Sequence, residues 1–255
     1  MPGMAHKYAG TGVIWPTQTV HMKNIHQILV AAVLLAACQG AEKPAATPVA
    51  DENAPTPPAW SGSFTDTLPC ADCPGILTRL QLRPDSIYVF TQEYLERDSI
   101  PYGTIGRWTA NGDRLTLRTF QTPMHWLWKD GRPVMVGEDW AVAPSGLDYG
   151  ISPVQADVTG PMHLTGGYVY YADSHSFTPC GADFILPVAM DPPGTESAGL
   201  ALERTYMAQV KEPKKPLYVQ VTGTLHSGPA MEGDGTDTYL HVDSVEGVLE
   251  IQQCR

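Results

Sequence analysis

The sequence predicts an all-β protein built from two small β-barrels. Gly and Pro are frequent, with 24 and 23 residues in a chain of 255, which is typical of a protein with many tight turns. Short segments that alternate apolar and polar residues are separated by turn residues, which indicates strands joined by hairpins. One segment has helical periodicity, and it lies in the second half of the chain. Together these patterns favour two consecutive barrels with one helix.

The N-terminal part reads as a targeting segment. Ile28–Ala37 is an unbroken run of ten apolar residues, too short for a bilayer, which needs about 20 residues, but suited to the core of a signal peptide. Met22 is the more natural initiator, and residues 1–21 look like an upstream mis-start. We therefore exclude residues 1–37 from the fold.

The apolar run ends in Leu35-Ala36-Ala37-Cys38, which resembles the signal of bacterial lipoproteins. The resemblance implies that Cys38 begins the mature chain and carries a lipid that includes palmitate. The alternative is a cleaved signal followed by an incidental cysteine. Gln39 is not the aspartate associated with retention in the inner membrane, so the expected location is the outer membrane, facing the periplasm or exposed at the surface. Residues 38–59 contain five prolines and no apolar periodicity, and we predict a disordered tether.

Residues 60–150 are predicted to form the first barrel domain, of six or seven short strands. Asn111-Gly112 and Asp130-Gly131 each lie between two strand-like segments, and such pairs are strong hairpin signals. Strands joined successively by hairpins make an up-and-down, lipocalin-like barrel or an open meander.

Residues 151–160 look like a linker, and residues 160–255 are predicted to form the second domain. The predicted helix covers Leu200–Val210, where apolar residues 202, 206 and 210 share one face. Further strands are expected over Thr238–Val242 and Val245–Ile251. Five strands with one interposed helix are typical of an OB-like barrel.

The cysteines fall into two pairs once Cys38 is assigned to lipid. Cys70 and Cys73 lie two residues apart between prolines, a spacing that suits a short-loop disulfide, a redox couple or half of a metal site. Cys180 and Cys254 remain. Four cysteines allow three pairings, and the pairing 70–73 with 180–254 keeps each bond inside one predicted domain. We expect Cys180–Cys254 to be a structural disulfide, as suits an oxidising periplasm.

Composition and motifs exclude several functions. The chain has 16 basic and 27 acidic residues and no basic run, which argues against nucleic-acid binding. No hydrolase elbow, zinc-protease motif or phosphate loop is present, so we predict that the protein is not an enzyme. A thioredoxin-type cysteine pair opens a helix that lowers the thiol pKa, whereas Pro74-Gly75 leads into a predicted strand.

A copper site would recruit soft ligands such as thiolates, thioethers and imidazoles. Two Pro-Met-His triplets occur, at 123–125 and 161–163. Cys70 and Cys73 with Met124 and His125 are therefore candidate copper ligands. The alternative is that both methionines are ordinary strand residues.

The chain also resembles the NlpE family of outer-membrane lipoproteins. The resemblance is carried by Gly62-Ser-Phe64, by Leu68-Pro-Cys-Ala-Asp-Cys-Pro-Gly-Ile76 and by Gly103-Thr-Ile-Gly-Arg-Trp108. In the second half it is carried by Phe177-Thr-Pro-Cys180 and the closing Cys254. It implies a small barrel followed by an OB-like domain, and links to copper homeostasis and envelope-stress signalling. It further implies an envelope-stress sensor kinase as partner, with Cys70/Cys73 as a redox-responsive or metal-responsive pair.

The sequence thus predicts a non-enzymatic lipoprotein that acts as a stress, surface or redox sensor-adaptor. The alternative is a periplasmic module that binds copper or a small ligand, and a weaker alternative is a thiol-disulfide oxidoreductase.

Overall fold

The protein was analysed as a computed structural model, which describes residues 60–192, 194–250 and 254. Thirteen strands and one α-helix lie in these residues. The predicted signal segment, the predicted lipidation site Cys38 and the predicted tether lie outside them. Within the described part, no helix is long and apolar enough to cross a membrane.

The first eight strands form an antiparallel up-and-down barrel, in which each strand from the first to the sixth pairs with the next. The eighth strand returns to pair with the first, and a bridge between Val134 and Gly150 joins the seventh strand to the residues just before the eighth. The sheet therefore closes on itself, so of the two arrangements that the hairpin pattern allows, the barrel is the one observed. The strands are β1 (Gly62–Leu68), β2 (Ile76–Leu82), β3 (Ile87–Tyr94), β4 (Tyr102–Asn111), β5 (Arg114–Leu117), β6 (Met124–Lys129), β7 (Arg132–Val136) and β8 (Ser152–Val154).

Both predicted hairpin turns are present, one of them shifted by a residue. Asp130 and Gly131 link β6 to β7 with φ of 52° and 82°, the positive values that a type I′ turn needs at both central positions. In the other hairpin Asn111 pairs with Arg114, so Gly112 and Asp113 are the central residues. Gly112 has φ of 60°, which favours glycine at the first central position.

The interior of the first barrel is filled with large side chains. They come from alternate positions along each strand, because successive side chains of a strand face opposite sides of the sheet. Trp126 and Tyr88 are fully buried, and Trp128 packs edge to face against Trp60 and Phe64. The remaining buried apolar members are Leu68, Leu80, Leu82, Phe90, Leu115, Leu117 and Ile151.

The second half forms a closed barrel of five strands, β9 (Met162–Tyr171), β10 (Ser174–Pro179), β11 (Leu186–Ala189), β12 (Leu217–Pro229) and β13 (Thr236–Val248). The order around the barrel is β9, β10, β11, β13, β12 and back to β9. The β11–β13 pair is parallel and the others are antiparallel. Residues 238–250, the described part of the segment expected as two strands, contain one strand, because register shifts in the β12–β13 ladder absorb the irregularity. The all-β class and the two-barrel architecture are confirmed.

The single helix of the described region, α1 (Ala198–Gln209), lies between β11 and β12, where an OB barrel carries its helix. Ser197 caps the helix by accepting a hydrogen bond from the backbone N–H of Leu200. Leu202 and Tyr206 are buried, which confirms the predicted apolar face. The phenol of Tyr206 donates to the carbonyl of Lys215 at 3.0 Å, so the helix is fixed to the chain that enters β12.

The two barrels meet through a short strand contact and a shared core. Tyr102 of β4 and His163 of β9 form a parallel bridge, and the His163 N–H donates to the Pro101 carbonyl at 2.8 Å. Val89 and Ile105, from the first barrel, pack in the core of the second. The segment 151–160, expected as a linker, contains the strand β8 that completes the first barrel.

Candidate functional site

Cys70 and Cys73 lie at the tip of the hairpin that joins β1 to β2. The last pair of the ladder is Leu68 with Ile76, so residues 69–75 form the connection. The two cysteines are joined by a disulfide, with Cα atoms 5.4 Å apart. We call residues 69–75 the disulfide hairpin. The residue after it begins a strand, which agrees with the prediction that this pair does not open a helix.

Gly75 explains how this loop closes so tightly. It is buried, and a Cβ built on it would lie 2.4 Å from Cγ2 of Thr67 and 3.4 Å from the Leu68 carbonyl oxygen. A larger residue would force the exposed Thr67 side chain to move, whereas the contact with the backbone would be of ordinary length. Glycine therefore allows the close approach without a change at Thr67.

A neighbouring loop holds the disulfide hairpin in place. The Leu95 N–H donates to the Gly75 carbonyl at 3.1 Å. The guanidinium of Arg97 binds the Asp72 carboxylate at 2.9 Å and its main-chain carbonyl at 2.6 Å. Both side chains are largely exposed, so the ion pair contributes at most about 1 kcal/mol. The sequence pattern gave no signal for Arg97, because the loop that carries it lies more than twenty residues away.

The disulfide hairpin also holds the one cluster of metal-ligand types found in the described residues. One donor atom each from Cys70, Asp72 and Cys73 lies within 4.8 Å of the others. In the oxidised state the two sulfurs are bonded to each other and supply no thiolate. Reduction would release two soft thiolates beside one carboxylate, a donor set suited to a soft or borderline cation.

Met124 and His125 do not join this cluster. Met124 begins β6 and pairs with Leu117, packing against the core of the first barrel. The Nδ1 atom of His125 lies 3.3 Å from Oγ1 of Thr116, and its ring lies 4.5 Å from that of Trp140. In the second triplet, Met162 is fully buried. Both methionines are therefore strand residues that contribute to packing.

The second disulfide joins Cys180 to Cys254, with Cα atoms 4.8 Å apart. Cys180 follows β10 and is 5% exposed, and its N–H donates to the Thr165 carbonyl at 3.0 Å. Gly181, with φ of 77°, lies against the backbone of Phe120 from the first barrel. This disulfide thus ties the end of the chain to the barrel wall.

A polar cluster lies at the junction of the barrels, and no sequence pattern predicted it. His163 lies 2.5 Å from the Glu246 carboxylate through Nδ1, and the Thr222 hydroxyl donates to the same oxygen. Burial by itself would raise the pKa of Glu246, but the hydrogen bonds from Thr222 and His163 outweigh it and lower that pKa. The ring of His163 also lies 5.1 Å from that of Tyr102. The sequence marked His163 only as part of a Pro-Met-His triplet.

His241 forms a second charged cluster, on the outside of the second barrel. Its Nδ1 lies 2.9 Å from Asp243 and its Nε2 lies 3.4 Å from Asp191. The hydrogen bond to Asp243 raises the pKa of His241, and Asp191 adds to this effect, although burial opposes it. The i, i+2 spacing on a strand puts His241 and Asp243 on one face, but only the fold brings Asp191 to them.

Comparison with known proteins agrees with this architecture. The family model described as the NlpE N-terminal domain matches residues 64–145, and the model described as the NlpE C-terminal OB domain matches residues 158–255. Lipoprotein NlpE of Escherichia coli (strain K12) is 31% identical over 186 residues, which is 71% of this chain and 74% of that protein.

Two solved structures were also compared. The crystal structure of the Cpx pathway activator NlpE from Escherichia coli is 26% identical and covers 76% of this chain and 98% of that one, with a TM-score of 0.32. The crystal structure of a putative lipoprotein from Shewanella oneidensis is 25% identical and covers 38% of this chain and 92% of that one, with a TM-score of 0.34.

The family assignment rests on the sequence matches, which extend over both barrels. The resemblance seen in the disulfide hairpin and in the closing cysteine is therefore part of a relationship that spans most of the chain. This protein belongs to the NlpE family of lipoproteins.

Proposed function

We propose that this protein is a non-enzymatic lipoprotein that activates an envelope-stress response by contact with a sensor kinase. Its relationship to the Escherichia coli protein, which is described as a Cpx pathway activator, carries the proposal, through 31% identity over 186 residues. In this proposal Cys38 bears the lipid, the anchor lies in the outer membrane and the two barrels face the periplasm.

The packing of the first barrel supports action through its surface. Trp126, Tyr88 and Leu80 are fully buried inside it and occupy the space in which a lipocalin-like barrel would hold a ligand. The disulfide hairpin, in contrast, projects at one end with Asp72 largely exposed. We infer that this hairpin and the adjoining Arg97 loop form part of the contact surface for the kinase.

We further propose that the Cys70–Cys73 bond makes this surface responsive to redox state. Both cysteines are partly exposed, so reductants can reach the bond. Its loss would relax the turn at residues 70–73, since the bond encloses the two intervening residues. In the Cys180–Cys254 bond, Cys180 is buried and Cys254 is half-buried. We assign this disulfide a structural role.

The test is complementation in Escherichia coli that lacks its own NlpE and carries a Cpx-responsive reporter. We expect expression of this chain to activate the reporter, and Cys70→Ser/Cys73→Ser to change the response. Cys38→Ser separates anchoring from signalling. An inactive reporter, with the protein correctly anchored at the level that suffices for the native NlpE, would contradict the proposal.

A second function, binding of a soft metal such as copper, is favoured by the cluster of Cys70, Asp72 and Cys73. The residues fit Cu(I) only after reduction, when both thiolates are available. The measurement is a Cu(I) titration of reduced protein against Cys70→Ser/Cys73→Ser and, as a separate variant, His125→Ala. Equal affinity in all three proteins would exclude the disulfide hairpin as the copper site.

The third alternative, a thiol-disulfide oxidoreductase, has weaker support. The cysteine pair leads into β2, and among the described residues no helix begins beside it to stabilise a thiolate. We expect no turnover in an insulin-reduction assay, and catalytic turnover would restore this alternative.

A further inference from the structure

The second barrel has an open groove that none of the functions above uses. One side is the chain segment 184–187, the other is the strand edge Thr236–Thr238 at the start of β13, and Arg83, Asp85 and Ile87 of the first barrel complete the lining. We call this the edge groove. Its volume is about 530 Å³, and it adjoins a pocket of about 560 Å³. Pro187 and Met231 line both, so the two lie side by side.

The edge groove exists because β11 and β13 pair over only two residues. Val188 pairs with Leu240 and Ala189 with His241, while Leu186 and Pro187 of the same strand pair with β10 and not with β13. Among the described residues, Thr236–Tyr239 therefore pairs with β12 alone. Alternate residues of an antiparallel strand direct their N–H and C=O groups away from the paired neighbour. The edge groove thus contains a strand edge that can accept a further strand.

Large apolar side chains line the edge groove and are accessible to solvent. Ile185 is 61% exposed and Met231 is 57% exposed, which are high values for large apolar residues. Phe184 lies beside them and is only partly buried. In the adjoining pocket, His226 and Tyr239 stack with an interplanar angle of 16° and form an aromatic wall. Such surfaces suit apolar side chains of a bound polypeptide.

The rim is acidic. Glu232 and Asp237 line the edge groove, and Asp173 lines the adjoining pocket. None of these carboxylates forms a salt bridge with Lys or Arg within the part of the chain that the structure describes. Arg83, the lining guanidinium, is already paired with Asp85 at 3.0 Å and donates a hydrogen bond to the Thr238 hydroxyl, so it does not neutralise these carboxylates. An occupant that carries positive charge would therefore complete the rim.

We propose that the edge groove binds an extended, basic segment of a partner protein, which adds to the free edge of β13 and places apolar side chains against Ile185 and Met231. A polypeptide is favoured over a small molecule because the unpaired strand edge offers main-chain hydrogen bonds in a linear array. This inference does not depend on the proposed signalling role, since neither the disulfide hairpin nor Arg97 lines the edge groove.

The test is fluorescence polarisation with the full chain, purified in detergent, and a short fluorescein-labelled peptide of alternating Lys and Val. We expect Ile185→Lys and Met231→Lys each to weaken binding by about tenfold. Met207→Lys is the matched control, because Met207 is 55% exposed and lies on α1. It adds the same charge at similar exposure, and we expect a change below about twofold.

Two N-methylated peptides test the strand addition itself. One carries the methyl groups on the Lys amides and the other on the Val amides. Because an added strand uses only alternate N–H groups toward its neighbour, one of them should bind about tenfold more weakly and the other should bind as the parent does.

Three results would overturn the proposal. Equal binding of both methylated peptides would mean that no strand pairing occurs. An equal loss in Met207→Lys would mean that the acidic protein attracts cations without using the edge groove. A dimer in sedimentation velocity that Ile185→Lys abolishes, together with no peptide binding, would mean that a second copy of this chain occupies the edge groove.

Discussion

The two disulfides close loops of very different length, and this difference makes a quantitative prediction. The joined residues are 3 positions apart in Cys70–Cys73 and 74 positions apart in Cys180–Cys254. In the chain-entropy model a disulfide stabilises the fold by restricting the unfolded chain, more strongly for longer loops. The model gives about 2 kcal/mol for the short loop and about 4 kcal/mol for the long one. We therefore expect Cys180→Ser/Cys254→Ser to be about twice as destabilising as Cys70→Ser/Cys73→Ser.

Urea denaturation measures this difference. With a slope of about 2 kcal/mol per molar urea, the transition midpoint should fall by about 2 M for the long-loop variant and about 1 M for the short-loop variant. Far-UV circular dichroism follows both barrels. Tryptophan fluorescence follows only the first barrel, because the tryptophans of the described region all lie there, at positions 60, 108, 126, 128 and 140.

Two outcomes of this comparison would contradict the loop-length argument. If Cys70→Ser/Cys73→Ser costs as much as Cys180→Ser/Cys254→Ser, then loop length does not determine the stabilisation. A larger loss for the short loop would point to native-state contacts of the disulfide hairpin as the dominant effect. In either case the assignment of Cys180–Cys254 as the principal structural disulfide would be wrong.

Three further predictions concern single residues. Leu202→Ala removes a fully buried side chain from α1 and should lower the free energy of unfolding by about 3 kcal/mol. Met207→Ala, on the exposed face of the same helix, should change it by less than about 0.5 kcal/mol. Equal effects of the two substitutions in urea denaturation would contradict the burial of Leu202. The pKa of His241 is raised in the fold, so its contribution is complete below about pH 6.5 and is lost as the pH rises through the raised pKa. We accordingly expect His241→Asn to destabilise by roughly 0.5 kcal/mol at about pH 5 and by less at about pH 9, and a larger loss at the higher pH in denaturation curves would reverse the sign. Gly181→Ala places a Cβ 2.7 Å from the backbone nitrogen of Phe120 at a φ of 77° and should cost about 2 kcal/mol in the same assay, so an unchanged midpoint would show that the two barrels separate freely at this contact.

Much of the candidate site could be predicted from residue spacing. Two cysteines two residues apart, each beside a proline, determine a short connection between two strands whatever surrounds it. The side chains that hold this connection could not be predicted. Arg97 reaches Asp72 across a gap of 25 residues, and an exposed arginine in a loop has no periodicity that would mark its partner. Met124 and His125 are chemically suitable copper ligands but do not join the cysteines, and again no local pattern marks the residues that they contact. Strand β6 directs them to Leu117, Thr116 and Trp140.

The sequence by itself determined the local features of this protein. Period-two alternation, glycine at positive φ and helical spacing each depend on neighbours a few residues away, and so the strands, the Asp130-Gly131 turn and α1 were predictable. Only the tertiary structure decided how these elements close. The parallel pairing of β11 with β13, limited to two residues, joins segments about fifty residues apart, and it leaves open the edge groove. Long-range pairings of this kind are selected by the packing of the whole core, which no local pattern encodes.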